Sequence, residues 1–185
     1  MMKTTILLFH PHLDQSRVNK ALANAAKEAG FEVRDMYALY PDFKINVEKE
    51  REVLENTDRI VFQFPVYWYS SPALVKQYED DVFTGNWAYN GGKALLDHEW
   101  LLAVSPGADQ DAYQKDGRVH YTMPDLLRPY QATSVLIKTK FMTPFISYNA
   151  SNMSDDELAN RAQEYVQYLK QPELQLAERY GQSQA

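Results

Sequence analysis

The feature that most constrains this chain is a regular alternation of short apolar runs with stretches whose apolar residues recur at helical spacing. "TTILLF", Thr4 to Phe9, is a continuous β-rich run of the kind found in strands buried on both faces. Beyond "HPHLDQ", the residues Val18, Leu22, Ala25, Ala26 and Ala29 recur at helical intervals, with Ser16 suited to cap the first turn and Gly30 to end the last. "FEVRDMYAL" is predicted as a second strand, and "NVEKEREVLENT" as a charged surface helix with Val47, Val53 and Leu54 inward. "RIVFQF" is predicted as a third strand, followed by a helix from Pro72 through Val82 and a fourth strand, "EWLLAVS". "PDLLRPYQATSVL" reads as a helix kinked at Pro129, and "TPFISYN" as a fifth strand. Ser154 and Glu157 form a capping box ahead of Leu158, Ala162, Tyr165, Val166 and Leu169.

Strands alternating with helices throughout imply an α/β fold, a parallel sheet covered by helices on both faces. Five strands in this order fit a flavodoxin-like or Rossmann-like domain, here assigned to residues 1–170, with 171–185 as a peripheral C-terminal tail. A length of 185 residues suits one domain with one substantial core. A net charge of −6, from 19 basic and 25 acidic residues, argues against nucleic acid or an anionic membrane surface as the main partner. The absence of cysteine excludes disulfides, thiolate metal sites, iron–sulfur clusters and a cysteine nucleophile. "MMKTTILLFHPH" is too short an apolar run for a signal peptide, and no segment approaches the ~18 apolar residues of a membrane span, so a cytoplasmic protein is expected.

Folds of this class bind ligands beyond the carboxyl ends of their strands, which singles out the loops His10–Asn19, Pro65–Ser71 and Ser105–Tyr113. The first has neither G-x-G-x-x-G nor G-x-x-x-x-G-K-[ST], so a dinucleotide Rossmann site or an NTPase is not indicated. It places His10, His12, Ser16 and Asn19 around a helix N-terminus, where free amides and the helix dipole favour an anion. The residues alone leave two readings open: a phosphate pocket, or a capping serine with surface histidines. A metal site is not expected, because nothing at ligand spacing accompanies the His-x-His pair.

Tyr67, Trp68 and Tyr69 follow Pro65 in "FQFPVYWYSSPALVKQYEDDVF". Core or subunit packing is the usual fate of aromatics, but three in a row cannot all point inward from one element. At least one is expected in the open, against a flat partner. In "SPGADQDAY", Pro106 and Gly107 permit a tight turn with free amides, Tyr113 offers a hydroxyl donor, and His120 is a candidate acid partner. An ordinary turn fits those residues equally well. Ser105 lacks the G-x-S-x-G context of a hydrolase nucleophile.

With these pieces assembled, the chain resembles the flavodoxin-like NAD(P)H:quinone oxidoreductase family, above all its short members that act as ancillary flavoproteins of glutathione-gated potassium efflux. The resemblance runs from about Thr5 to Lys170 and rests on the order and spacing of "HPHLDQSRVN", "YALYPDF", "FQFPVYWYSSPALVKQYEDDVF", "NWAYNGGKAL", "LLRPYQAT" and "TPF". It implies that His10 and the run Ser16, Arg17, Val18 and Asn19 hold the phosphate and ribityl chain of a flavin. It further implies that Val66, Tyr67, Trp68 and Tyr69 line the ring, that Ser105, Pro106, Gly107 and Ala108 meet its pyrimidine edge, and that Tyr113 and His120 take part in hydride transfer. FMN is the implied cofactor in preference to FAD, because the long FAD-binding members carry a C-terminal extension. The implied activity is two-electron transfer from NAD(P)H to a quinone, in a homodimer with the Pro72–Val82 helix and the Gly85–Gly92 loop near the partner copy. A regulatory subunit docked on a potassium-efflux transporter is the alternative, and a one-electron flavodoxin carrier a third. The family usually has Thr-Thr-Gly-Gly where this chain has Ser105-Pro106-Gly107-Ala108, so one amide donor is lost and a methyl gained.

Overall fold

The computed structural model describes residues 2–179. Its elements are β1 (Thr4–Leu8), α1 (Val18–Glu28), β2 (Glu32–Asp35), α2 (Met36–Leu39), α3 (Val47–Glu55), β3 (Arg59–Pro65), α4 (Ala73–Val82) and β4 (Glu99–Ser105). They continue with α5 (Met123–Leu126), α6 (Arg128–Ile137), β5 (Lys140–Phe141), β6 (Phe145–Ile146) and α7 (Asp155–Lys170). All strand pairings are parallel, in the order β2-β1-β3-β4-β5, with β6 pairing β4 further along the same side as β5. Of the expected fifth strand, "TPFISYN", only Phe145–Ile146 forms β6, and the unanticipated β5 precedes it in the same sheet position. Pro144 lies in the gap between them, where it has no N–H to give a ladder.

Side chains alternate between the two faces, and each face has its own cluster. Ile6, Val61, Leu101 and Ala103 pack with Val18, Leu22 and Ala26 of α1 and Ala162, Tyr165 and Leu169 of α7. Leu7, Phe9, Ile60, Phe62, Phe64, Trp100 and Leu102 pack with Leu54 of α3, Leu74, Val75, Tyr78 and Val82 of α4, and Tyr130 and Ile137 of α6. On this second face Trp100 meets Phe62, Phe83 and Tyr130 edge to face. Each central strand is covered on both sides, which is why its sequence is a run rather than an alternation.

Three local expectations change. The second strand stops at Asp35, because the Asp35 carboxylate accepts the Ala38 amide at 3.1 Å and starts the one-turn helix α2. The helix around Pro129 is two helices meeting at Leu127, with Thr122 and Asp125 forming a capping box for the first and Pro129 in the first turn of the second, where its missing N–H costs nothing. The stretch from Gln171, expected to be peripheral, lies antiparallel against the outer side of the fifth position. The Thr143 amide donates to the Gln175 carbonyl at 2.8 Å, the Ala177 amide to the Phe141 carbonyl at 2.9 Å, and Leu174 is buried. Residues 180–185 of that expected tail lie outside the described residues.

At the opposite end of the sheet from the candidate loops, the Arg59 side chain is buried and fully engaged. It donates to Glu99 at 2.5 Å and to the carbonyls of Leu169 and Gln171 at 2.8 and 3.0 Å. Removing one partner of such a buried pair leaves the other charge uncompensated. Arg59→Ala is expected to lower unfolding free energy by about 3 to 5 kcal/mol in urea titration, whereas a loss under about 1 kcal/mol would show that Glu99 and α7 do not depend on it.

Candidate functional site

Register decides where the site sits. Leu8 pairs with Gln63, Phe64 with Val104, and Pro65 with Ser105, so β3 and β4 end together and β1 ends two residues earlier on the same side of the sheet. The Phe9 amide extends the first pairing to the Gln63 carbonyl at 2.8 Å, and the Val66 amide donates to the Ser105 carbonyl at 3.1 Å. The β1–β3 boundary is also where the strand order reverses, since β2 lies on the other side of β1. Beyond this edge is a cavity of about 300 Å³ lined by His10, Ser16, Arg17, Val18, Asn19, Pro65, Val66, Tyr67, Ser105, Gly107, Ala150 and Ser151. Three larger clefts lie elsewhere, but they are grooves along helices and the far sheet edge and contain none of the site loops.

The first loop forms a set of donors. Ser16 Oγ accepts the Asn19 amide at 3.1 Å, which caps α1 and leaves the hydroxyl hydrogen free. The amides of Arg17 and Val18 have no acceptor among the described residues, as befits a helix start. His10 is buried, and burial followed by the nearby His12 pushes its imidazole below the ordinary range, so the ring is neutral at pH 7. Its Nδ1 accepts the His12 amide at 3.1 Å, which fixes the proton on Nε2 as a further donor. The phosphate-pocket and cap readings of Ser16 are thus compatible. The Arg17 guanidinium is spent elsewhere, on the Met153 carbonyl at 2.8 Å and Asp155 at 2.6 Å, tying α1 to the segment before α7.

The second loop turns abruptly. Tyr67 and Ser70 exchange two backbone hydrogen bonds of 3.0 Å, closing a two-residue turn in which Trp68 and Tyr69 have φ of 48° and 62°. That backbone normally takes Asn-Gly, and a non-glycine residue held there costs of order 1 kcal/mol or more. Tyr67, Trp68 and Tyr69 are 40, 93 and 51 % exposed, so all three aromatics stand in the open, in keeping with the expectation of at least one.

The third loop is pinned from behind. The carbonyls of Pro106, Gly107 and Ala108 accept the amides of Ala150, Ser151 and Asn149 at 3.1, 3.3 and 2.7 Å, while the amides of Gly107 and Ala108 donate to no described group. A β-carbon at Gly107 would come within 2.8 Å of Ser151 Oγ. Tyr113 is buried against Tyr148 with ring centres 6.0 Å apart, and burial, then Tyr69, raises its phenol. His120 is exposed at φ 60° with Nδ1 on the Lys115 carbonyl at 3.2 Å, and no hydrogen bond joins it to Tyr113. Of the expected cofactor residues, Trp68, Tyr69, Pro106 and Ala108 do not line the cavity, while Ala150 and Ser151 do and were not anticipated. The rule that ligands sit beyond strand ends applies equally to the loop after β6, and would have found them.

These features define the class of protein. The family model described as flavodoxin-like fold matches residues 2–169, and the chain belongs to that family. It is 47% identical to the uncharacterized NAD(P)H oxidoreductase YrkL of Bacillus subtilis, over 91% of this chain and 98% of that one. It is 38% identical to the glutathione-regulated potassium-efflux system ancillary protein KefG of Pectobacterium atrosepticum, over 92% and 94%. Among solved structures it superposes on general stress protein 14 of Treponema denticola in complex with FMN, at TM-score 0.87 and 38% identity over 90% and 97%. A chain described as a thermophilic tryptophan halogenase from Streptomycin violaceusniger superposes at TM-score 0.88 and 47% identity, over 90% and 98%.

Ser16→Ala is expected to weaken FMN by about 1.5 to 3 kcal/mol more than it weakens riboflavin, which has no phosphate to lose a charge-assisted bond. Flavin fluorescence titration measures both, and equal weakening would show that Ser16 only caps α1.

Proposed function

We propose that this protein is an FMN-dependent NAD(P)H:quinone oxidoreductase, cytoplasmic and homodimeric. The observation that carries the proposal is the division of one cavity into two unlike ends. One end gathers unspent donors at the start of α1: the Ser16 hydroxyl, the His10 Nε2–H and the amides of Arg17 and Val18. That is a phosphate's requirement. The other end has Val66 and Tyr67 on one side and the Ser105–Gly107 turn, with Ser105 Oγ and the free Gly107 amide, on the other. That suits a flat ring with a polar edge.

When bound, FMN would supply reversible acceptance of a hydride and its passage to a two-electron acceptor. The protein's part is positioning and electrostatics. Ser105 and the amides of Gly107 and Ala108 would favour negative charge at the ring's polar edge. The raised Tyr113 phenol keeps its proton at neutral pH and would serve as a donor toward a bound acceptor. The exposed Tyr67, Trp68 and Tyr69 offer flat surface to nicotinamide and quinone alike. The oxidoreductase description recurs among the relatives, at 47 and 42% identity, and this favours it over the halogenase description of one structural neighbour.

The relationship to KefG supports a second reading, in which the same flavoprotein docks on a potassium-efflux transporter. Recovery with a membrane transporter from solubilised membranes would favour it.

The purified protein is expected to be yellow, to release FMN on denaturation, to bleach on NADH or NADPH addition without air, and to recolour with a quinone. A colourless protein that does not take up added FMN at micromolar concentration would remove the basis of the reading.

A further inference from the structure

Four buried polar groups run through the α1/α7 side of the sheet to the cavity. The Tyr165 hydroxyl donates to Gln63 Oε1 at 3.2 Å, and Gln63 Nε2 donates to the Asn19 main-chain carbonyl at 2.9 Å and to Asn19 Oδ1 at 3.3 Å. Asn19 Nδ2 then donates to Ser105 Oγ at 2.7 Å. None of these residues is more than 4 % exposed, so water does not offer alternative partners.

The direction of this chain is fixed by one group that can act in only one sense. A main-chain carbonyl accepts and never donates, so Gln63 must turn its NH₂ toward Asn19. Asn19 must then present Oδ1 to Gln63 and Nδ2 to Ser105. Ser105 is therefore an acceptor from Asn19, and its own hydrogen finds no acceptor among the described residues. Ser105 lines the cavity.

Resting on the FMN reading above, we infer that Gln63 is a positioning residue for the cofactor. It lies outside the cavity, yet by orienting the Asn19 amide it commits the Ser105 hydroxyl to donate to an acceptor atom at the edge of the bound flavin ring. Tyr165 donates to Gln63 Oε1 and stabilises the fold without setting the direction. Because the chain joins the start of α1 to the end of β4, one residue of β3 ties the donor set at the phosphate end to the donor at the ring end.

Substitution at Gln63 can reverse the sense with little change of volume. In Gln63→Glu an ionised carboxylate must accept from the Asn19 NH₂, which turns Asn19 Oδ1 to Ser105 and draws the Ser105 hydrogen away from the cavity. A protonated carboxyl can still donate to the Asn19 carbonyl and keep the original sense. The test is riboflavin affinity, read by fluorescence quenching, in proteins with and without Ser105→Ala. Riboflavin lacks the phosphate on which a buried charge would act.

In the otherwise unchanged protein, Ser105→Ala is expected to weaken riboflavin about tenfold, the loss of one well-placed hydrogen bond. In Gln63→Glu that cost should remain about tenfold at pH about 6 and fall below about twofold at pH about 9, as the buried carboxyl ionises. In Gln63→Met, which removes the constraint without adding charge, the cost should fall to an intermediate value. In Tyr165→Phe it should stay about tenfold although the melting temperature drops. A Ser105→Ala cost that is the same in every Gln63 background and at both pH values would overturn the inference. So would no cost in the unchanged protein, and in that case binding of FMN itself would show that the cofactor reading survives. A protein that binds neither flavin would overturn both.

Discussion

The arrangement depends on one constraint, the parallel pairing of β3 with β1 on one side and β4 on the other in matched register. Arg59 pairs with Thr4 and Glu99, and Gln63 with Leu8 and Ala103, so three strands start at one level and β3 and β4 run two residues beyond β1. A slip of one residue would turn every side chain to the wrong face, burying Gln63 among the aromatics and exposing Phe62 and Phe64 to α1 and α7. The apolar contacts that prevent this are the two separate clusters on the faces of the sheet. The same register brings His10, Val66 and Ser105 to one edge, where the reversal of strand order opens a crevice between β1 and β3. The site is a consequence of the sheet.

Within the crevice, the informative quantity is which donors remain unspent. Ser16 and Ser105 each accept one hydrogen bond from Asn19, through its main-chain amide and its side chain respectively. Each is left with a hydrogen to give. His10 spends Nδ1 on the chain itself and keeps Nε2–H. The Arg17 side chain, by contrast, is committed to Met153 and Asp155 and adds only its amide. A pocket with several free donors suits a ligand rich in acceptors, which phosphate and the polar edge of a flavin both are. The strained turn carrying Trp68 and Tyr69 fits the same picture, since backbone strain of this kind persists where surrounding contacts hold it.

Much of this was legible from residue order alone. The three central runs, β1, β3 and β4, are strands because they are buried on both faces, a signal that survives in the sequence as nearly unbroken apolar stretches. The capping box at Ser154 and Glu157 marked α7 without ambiguity. What local pattern did not contain was long-range. The break between β5 and β6 depends on Pro144, the packing of residues 174–177 depends on an edge that only the finished sheet presents, and Ala150 and Ser151 reach the cavity by bonding to a turn more than 40 residues earlier. Arg17, implied as a cofactor residue by resemblance, lines the cavity, and the contact of its guanidinium with Asp155 is distant in sequence. Gln63 was hidden for another reason: a polar residue within an apolar strand carries no sign of what it bonds.

In the proposed function, FMN occupies the crevice above β1, β3 and β4. Amide hydrogen exchange with and without FMN tests it most directly, because it reports where the ligand sits independently of turnover. The account predicts new protection at Arg17 and Val18, at Gly107 and Ala108, and in the Ala150–Ser151 segment behind them, with the grooves beside α6 and α7 unchanged. Protection confined to those grooves, or absent from the start of α1, would contradict it.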